Sequence, residues 1–237
     1  MPEPEPEPDV VVVVPEPGPG DIDPPLDSYA CAELSANTAS GRLVVSGFVA
    51  SHGDLAQLQV SLAGRDAVLR VAVHEWPQCE ALMTFREQMA ASGGPRIRIV
   101  AGKTEFERGE TLVLEVTTPA YPSYLYLSYI QASGEVVHLV QPSGPVPSPL
   151  PAGQTLIFGD GRDGRTRFVV TPPFGNEMII ALAAASPLFA APRPGLEIER
   201  DYLTAFRDAL VVRPIAGVEP RLVRGSYATM STRDARQ

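Results

Sequence analysis

The residues best suited to catalysis in this sequence are three histidines and two cysteines. Cys79 and His74 are the closest thiol and imidazole along the chain, and a nearby imidazole is what activates a cysteine nucleophile. If Cys79 is instead held in a disulfide, that nucleophile is lost. His52 falls at a predicted helix start and His138 within a predicted strand. Single histidines in such places are more often structural than catalytic.

A serine hydrolase of the G-x-S-x-G type is excluded by the sequence. Ser133-Gly134 and Ser143-Gly144 lack the preceding half of that motif, and both fall in predicted loops with no following helix. The sequence also lacks a phosphate-binding loop and a set of metal-ligand motifs. We therefore predict a chain that is not an enzyme and has no cofactor and no metal. An unrecognised hydrolase that uses His138 or His74 is the alternative.

Cys31 and Cys79 are the two cysteines of the chain, one before the first strand and one after the last strand of a small predicted α/β unit. This placement is what a single disulfide requires, and such a bond predicts an oxidising compartment. The alternative is a pair of buried free thiols, as in cytosolic proteins. We expect a periplasmic location, with a cytoplasmic one as the alternative.

Four tyrosines crowd one predicted strand and its entry: Tyr121, Tyr124, Tyr126 and Tyr129. Aromatic side chains of this kind anchor protein and sugar contacts, so these residues form the candidate binding surface. The alternative is that they fill the interior of a sandwich. The polar loop at residues 159–165 alternates carboxylates and arginines, which favours a solvated hairpin tip over a calcium loop.

The elements that would position these residues fall into two folded parts after a linker. Residues 1–27 are rich in proline and acidic residues and predict a disordered spacer. Residues 28–94 predict a β-α-β unit with strands at 42–49 and 68–73, a helix at 54–63 capped by Ser51, and a second helix at 78–91. The fold class predicted is α+β.

Residues 95–231 predict a β-sandwich with one short helix at about residues 199–209, followed by a tail at 232–237. Period-2 alternation at 112–117, an apolar run at 124–130 and a return strand at 136–140 predict three consecutive strands. Ser133-Gly134 makes the turn between the last two. Further strands are expected at 167–171, 177–183 and 222–230.

Composition limits the partners. The formal net charge of −9 argues against nucleic acid and against an anionic lipid surface, because both require clustered lysine and arginine. No apolar run approaches the roughly 18 residues of a spanning helix, and residue 1 is not followed by a signal peptide pattern. We expect a fragment attached to an upstream anchor, with an authentic cytosolic start as the alternative.

Several short motifs carry a family resemblance: GE at 109–110, YLYLSYI at 124–130, ASGEV at 132–136, HLVQP at 138–142, LPAG at 150–153 and PPFGNEMIIAL at 172–182. Residues 97–230 thereby resemble a bacterial domain of unknown function often found C-terminal to serine/threonine kinase or caspase-like peptidase domains. The strand ending in SGFV at 46–49, the helix after it and the strand at 68–73 resemble a BON-type module of bacterial envelope proteins.

These resemblances imply a non-catalytic periplasmic sensor or protein-interaction region of a larger bacterial signalling protein, such as a membrane-anchored serine/threonine kinase. Its partner would be a protein or a cell-wall component. Two alternatives stay open: a glycan- or peptidoglycan-binding module that uses the tyrosines, and a secretion-system accessory protein.

Overall fold

The computed structural model of the protein describes residues 22–144, 146–210 and 222–235. Most of the predicted proline-rich spacer lies outside these residues. The chain is a mixed α and β protein in which strands predominate, with three α-helices among the described residues. It divides into two compact units, Met1–Val73 and His74–Gln237.

The described part of the first unit holds three strands and one helix: β1 (Glu33–Ala39), β2 (Arg42–Val49), α1 (His52–Ser61) and β3 (Ala67–Val73). β1 and β2 form an antiparallel hairpin, and β2 and β3 pair in parallel through α1. This is the predicted β-α-β unit. The Ser51 hydroxyl accepts a hydrogen bond from the Asp54 N–H at 3.0 Å, which confirms the predicted helix cap.

The core of the first unit contains Val45, Val49 and Leu58, together with Ile22. Ile22 is 4% exposed, and residues Leu26–Ser28 form a 3-10 turn. The predicted spacer boundary at residue 27 therefore falls inside the packed structure. The reason is that an isolated isoleucine among prolines and acidic residues gives no periodic signal, although it has apolar surface to bury.

The described part of the second unit begins with α2 (Gln78–Ala90) and continues with eleven strands and one further helix: β4 (Arg96–Ile99), β5 (Glu105–Glu107), β6 (Thr111–Leu112), β7 (Leu114–Thr117), β8 (Tyr124–Ile130), β9 (Glu135–Val140), β10 (Thr155–Phe158), β11 (Phe168–Val169), β12 (Asn176–Ala184), β13 (Leu196–Ile198), α3 (Glu199–Leu210) and β14 (Val223–Arg233). Six of these strands form one sheet in the order β13-β9-β8-β12-β14-β5. All neighbours in it are antiparallel except β14 and β5.

The two faces of the six-stranded sheet bury different layers. One face packs against the three-stranded sheet β10-β7-β4 and the pair β11-β6, and Leu114, Leu127 and Ile179 are fully buried there. The other face is covered by α2 and α3. β12 lies in the middle of the sheet, and its residues after Asn176 are all buried, as expected for a strand covered on both sides.

The sequence placed α2 with the first module, but in the structure α2 packs against β12, β14 and α3 of the second unit. The sheet of the second unit is thus covered by two helices rather than one. An amphipathic period shows that a helix has an apolar face but not which sheet it covers, because both units offer an apolar face to bury.

Candidate functional site

Cys31 and Cys79 are both disulfide-bonded, as predicted. A sulfur held in a disulfide is not available as a thiolate, so Cys79 and His74 do not form a nucleophile pair in this state. Burial lowers the pKa of His74, whose ring lies edge-on to Tyr227 at 5.9 Å between centroids.

The four predicted binding tyrosines do not share one surface. Tyr124 and Tyr126 lie on the helix-covered face of β8, and Tyr129 lies on the opposite face because side chains alternate along a strand. Tyr126 is 3% exposed, and its hydroxyl accepts a hydrogen bond from the Leu188 N–H at 2.8 Å. The Tyr121 hydroxyl donates to the carbonyl of Ala183 at 3.0 Å.

Tyr129 is held by a buried carboxyl. Its hydroxyl donates to Oε2 of Glu177, a residue that is 1% exposed at the start of β12. Burial raises the pKa of Glu177, even though the hydrogen bond from Tyr129 acts in the other direction. The Tyr129 hydroxyl is thus used in a buried hydrogen bond, while part of the side chain remains exposed to solvent.

His138 belongs to a chain of polar contacts that no local sequence pattern predicted. Its Nε2 lies 2.7 Å from Oε1 of Glu197 on β13, and its Nδ1 lies 3.3 Å from the Ser128 hydroxyl on β8. Arg193 contacts both oxygens of Glu197 and lies 3.1 Å from Oε1 through Nε. Burial alone would raise the pKa of Glu197, but hydrogen bonds from Arg193 and His138 hold it below its ordinary value.

A hydroxyl, an imidazole and a carboxylate in a row are the groups of a nucleophilic triad, so their access to solvent decides what they can do. The side chain of His138 is 0% exposed, and Ser128 is 1% exposed. Tyr202 and Phe206 of α3 lie against the imidazole, at 5.6 and 6.5 Å between ring centroids. In this arrangement the row ties β13 to β9 and β8 rather than facing a substrate.

β13 is an end strand of the six-stranded sheet, and its two outward residues are apolar. Leu196 is 52% exposed and Ile198 is 55% exposed, while Glu197 between them points inward to His138. The end strand of a sheet has unpaired backbone N–H and C=O groups that can pair with a strand of another chain. Natural proteins usually protect such strands with charged side chains, so exposed apolar side chains on an end strand are uncommon.

The apolar surface continues from β13 onto its neighbours. Leu196 lies opposite Val137 and Ile198 lies opposite Glu135, and Val137 in turn lies opposite Tyr129 of β8. All three neighbours are partly exposed. We call the surface formed by Tyr129, Glu135, Val137, Leu196 and Ile198 the edge face.

The other end of the same sheet, β5, is charged instead. Glu107 of β5 pairs with Arg233 at 3.0 Å, and Lys103, just before β5, pairs with Glu110 at 2.6 Å. Charged side chains at a sheet edge discourage pairing with other chains. The two ends of the sheet therefore differ in their readiness to accept a further strand.

A carboxyl pair lies where β13 leads into α3. The Glu199 N–H donates to the carbonyl of Gly134 at 2.8 Å, which extends the contact between β13 and the turn before β9. Burial and the neighbouring carboxyl of Glu80, in the first turn of α2, raise the pKa of Glu199 to about 7. Trp76 packs over Gly134, where an added Cβ would lie 2.5 Å from its ring.

The remaining candidates take ordinary structural roles. Asp160 in the polar loop is paired with Arg165 at 2.9 Å, an arrangement suited to the tip of a hairpin. Across the part of the chain that the structure describes, no group of three or more histidine, cysteine, aspartate or glutamate side chains is placed to hold a metal ion. Within the same residues, no helix has the length and apolar character needed to cross a membrane.

Sequence reasoning missed the edge face because β13 has three residues and follows a proline-rich loop. The only signal was the apolar–acidic–apolar order of Leu196, Glu197 and Ile198, which is too short to establish a period. From the sequence alone Glu197 would be expected to be exposed, but its side chain is buried against His138.

Comparison with known proteins identifies one part of the chain. Residues 105–187 match the family model described as "Domain of unknown function (DUF4384)". This confirms that the second unit contains a domain of unknown function, within the range expected from the sequence. Neither a curated protein nor a solved structure matches the chain.

Proposed function

We propose that this chain is a non-catalytic recognition region of a larger bacterial signalling protein, and that it binds a protein partner along the edge face. The observation that carries the proposal is β13, an end strand whose two outward side chains are apolar and more than half exposed. Strand addition to an open sheet edge is a recurring mode of peptide recognition, in which backbone hydrogen bonds give affinity and alternate side chains give specificity.

Two further features support this function. The buried row of Ser128, His138 and Glu197 favours a structural role over catalysis, because a substrate would have to displace α3 to reach it. The disulfide favours an oxidising compartment, for which the periplasm is our choice. The same row fixes the backbone of β13, so the edge is held ready for binding.

The association with a larger protein rests on resemblance. The motifs at residues 97–230 resemble a domain often found beside serine/threonine kinase or caspase-like peptidase domains, and on that resemblance we favour a membrane-anchored kinase. The order β2-α1-β3 in the first unit is compatible with a BON-like module. On this proposal the region senses or docks a partner, and the attached domain supplies the activity.

Site-specific photo-crosslinking in intact cells tests the recognition surface. A photoreactive residue at Ile198 should give a discrete protein adduct that is lost when Leu196→Asp is added. The matched control is a photoreactive residue at Val60 of α1, which is 75% exposed but lies outside the edge face. The same adducts at both positions, or none at Ile198, would refute the proposed surface.

Titration with soluble cell-wall fragments tests the alternative function. Saturable binding that is lost in Tyr124→Ala would favour a glycan-binding module over a protein-binding one. The proposal for the edge face expects no such binding.

A further inference from the structure

The geometry of β13 sets the spacing that a bound segment must have. Leu196 and Ile198 are two residues apart on one face of an extended strand, so they stand roughly 7 Å apart. A segment paired alongside β13 would place every second side chain over this face. Those side chains must be apolar to match Leu196 and Ile198.

The charge of the edge face is concentrated at one end. Glu135 lies opposite Ile198, and its carboxylate contacts the Ser133 hydroxyl at 3.3 Å. Within residues 22–144, 146–210 and 222–235, no lysine, arginine or histidine forms an ion pair with Glu135.

The opposite end of β13 offers no comparable charge. Arg193 lies near Leu196 in sequence, but its guanidinium is engaged by Glu197. Glu135 is therefore the charged group of the edge face that a partner can complement.

We propose that the edge face binds an extended peptide segment that carries alternating apolar residues and a lysine or arginine at the end lying over Glu135. This inference rests on the proposed function and adds the chemical class of the partner. The net charge of −9 assists, because an acidic protein attracts a basic segment at long range.

A second copy of this chain fits the same surface less well. Two chains that each carry a net charge of −9 repel one another, and a β13 strand has two apolar residues but no basic residue within it. Self-association through β13 is thus an outcome that the test must be able to detect.

The test uses the full disulfide-bonded chain and synthetic peptides of three kinds. The first kind is a pair of peptides in which valine and threonine alternate, with a lysine at the N-terminal end of one and at the C-terminal end of the other. The second kind replaces that lysine by glutamate, and the third has the same residues in scrambled order. Binding is followed by amide chemical shifts at residues 133–138 and 195–199. One lysine peptide should bind most tightly, about three- to fivefold better than its glutamate counterpart, the size expected for one exposed ion pair.

Two variants locate the effect. Glu135→Gln should remove the preference for lysine over glutamate while leaving binding itself, and Leu196→Asp should abolish binding by every peptide. Glu107→Gln, on the charged end strand β5, is the matched control and should change neither result. Because Leu196 and Glu135 are partly exposed, each variant should retain the native near-ultraviolet circular dichroism spectrum.

The outcomes separate the two proposals. Equal affinity for lysine and glutamate peptides, or a preference that survives Glu135→Gln, overturns the charge assignment. If no peptide binds but crosslinking at Ile198 persists, the partner class is wrong and the proposed surface stands. Concentration-dependent dimerisation that Leu196→Asp abolishes would assign the edge face to a second copy and overturn the inference.

Discussion

Replacing Glu199 by glutamine removes one carboxyl of the pair that joins the beginnings of α2 and α3. Glu199 is 7% exposed, and burial together with Glu80 raises its pKa from 4.5 to about 7. A carboxyl whose pKa is higher in the folded protein than in the unfolded chain binds its proton more tightly on folding. Its contribution to stability is therefore complete below about pH 4.5 and is lost as the pH rises through about 7.

The difference between 4.5 and about 7 sets the size of the effect. At roughly 1.4 kcal/mol for each pH unit this difference sets an upper bound of about 3 kcal/mol, and because the raised pKa belongs to the Glu80 and Glu199 pair as a whole, we expect a loss of about 1–2 kcal/mol of stability across this range. The positive charges of Arg200 and Arg207 lower the pKa of Glu199 and so oppose part of the rise. Glu135, which follows Gly134 in the chain, is another carboxyl near this turn. A glutamine at position 199 does not titrate, so this pH dependence should disappear in the variant.

Urea unfolding at about pH 4, 5, 6, 7 and 8 measures the effect. The free energy of unfolding of Glu199→Gln, relative to the unsubstituted protein, should rise by about 1–2 kcal/mol between the lowest and highest pH. Glu87→Gln, on the exposed side of α2, is the control and should show no such change. If the curves for Glu199→Gln and the unsubstituted protein stay parallel from about pH 4 to 8, the shared carboxyl site does not exist as described.

Two further substitutions test packing beside the edge face. Gly134→Ala should destabilise by about 1–3 kcal/mol more than Gly153→Ala in thermal unfolding. Both glycines have positive φ, but only at Gly134 would a Cβ meet the Trp76 ring; equal losses would contradict this. Tyr129→Phe should cost about 1–3 kcal/mol because it removes one of the two hydroxyl donors to the buried Glu177 carboxyl, the other being Thr232. Unchanged stability by urea titration would show that Glu177 finds another partner.

The strands with the strongest local patterns were predictable from the sequence. The apolar run at residues 124–130 becomes β8, and Ser133-Gly134 makes the hairpin to β9 because Gly134 adopts the positive φ that its turn requires. The helix expected near residues 199–209 is α3, which ends one residue later than expected. In each case a local periodicity and a local turn residue agree.

Contacts made across the chain could not be predicted in this way. Ser128, His138 and Glu197 lie on three strands, and their meeting depends on the order β13-β9-β8, which no local pattern encodes. The four candidate binding tyrosines lie on different faces for a related reason. Because side chains alternate along a strand, Tyr126 and Tyr129 lie on opposite faces of β8. Tyr126 is covered because α3 packs against its face of the sheet, which the local sequence does not show.

The unlike ends of the six-stranded sheet limit how an assembly can grow. A partner strand that joins at β13 becomes the new boundary there, while the ion-paired residues around β5 resist addition on the far side. Head-to-tail stacking of copies through this sheet needs a receptive strand at both ends, so the charged residues around β5 disfavour it. A strand that binds at β13 would therefore extend this sheet at one end only.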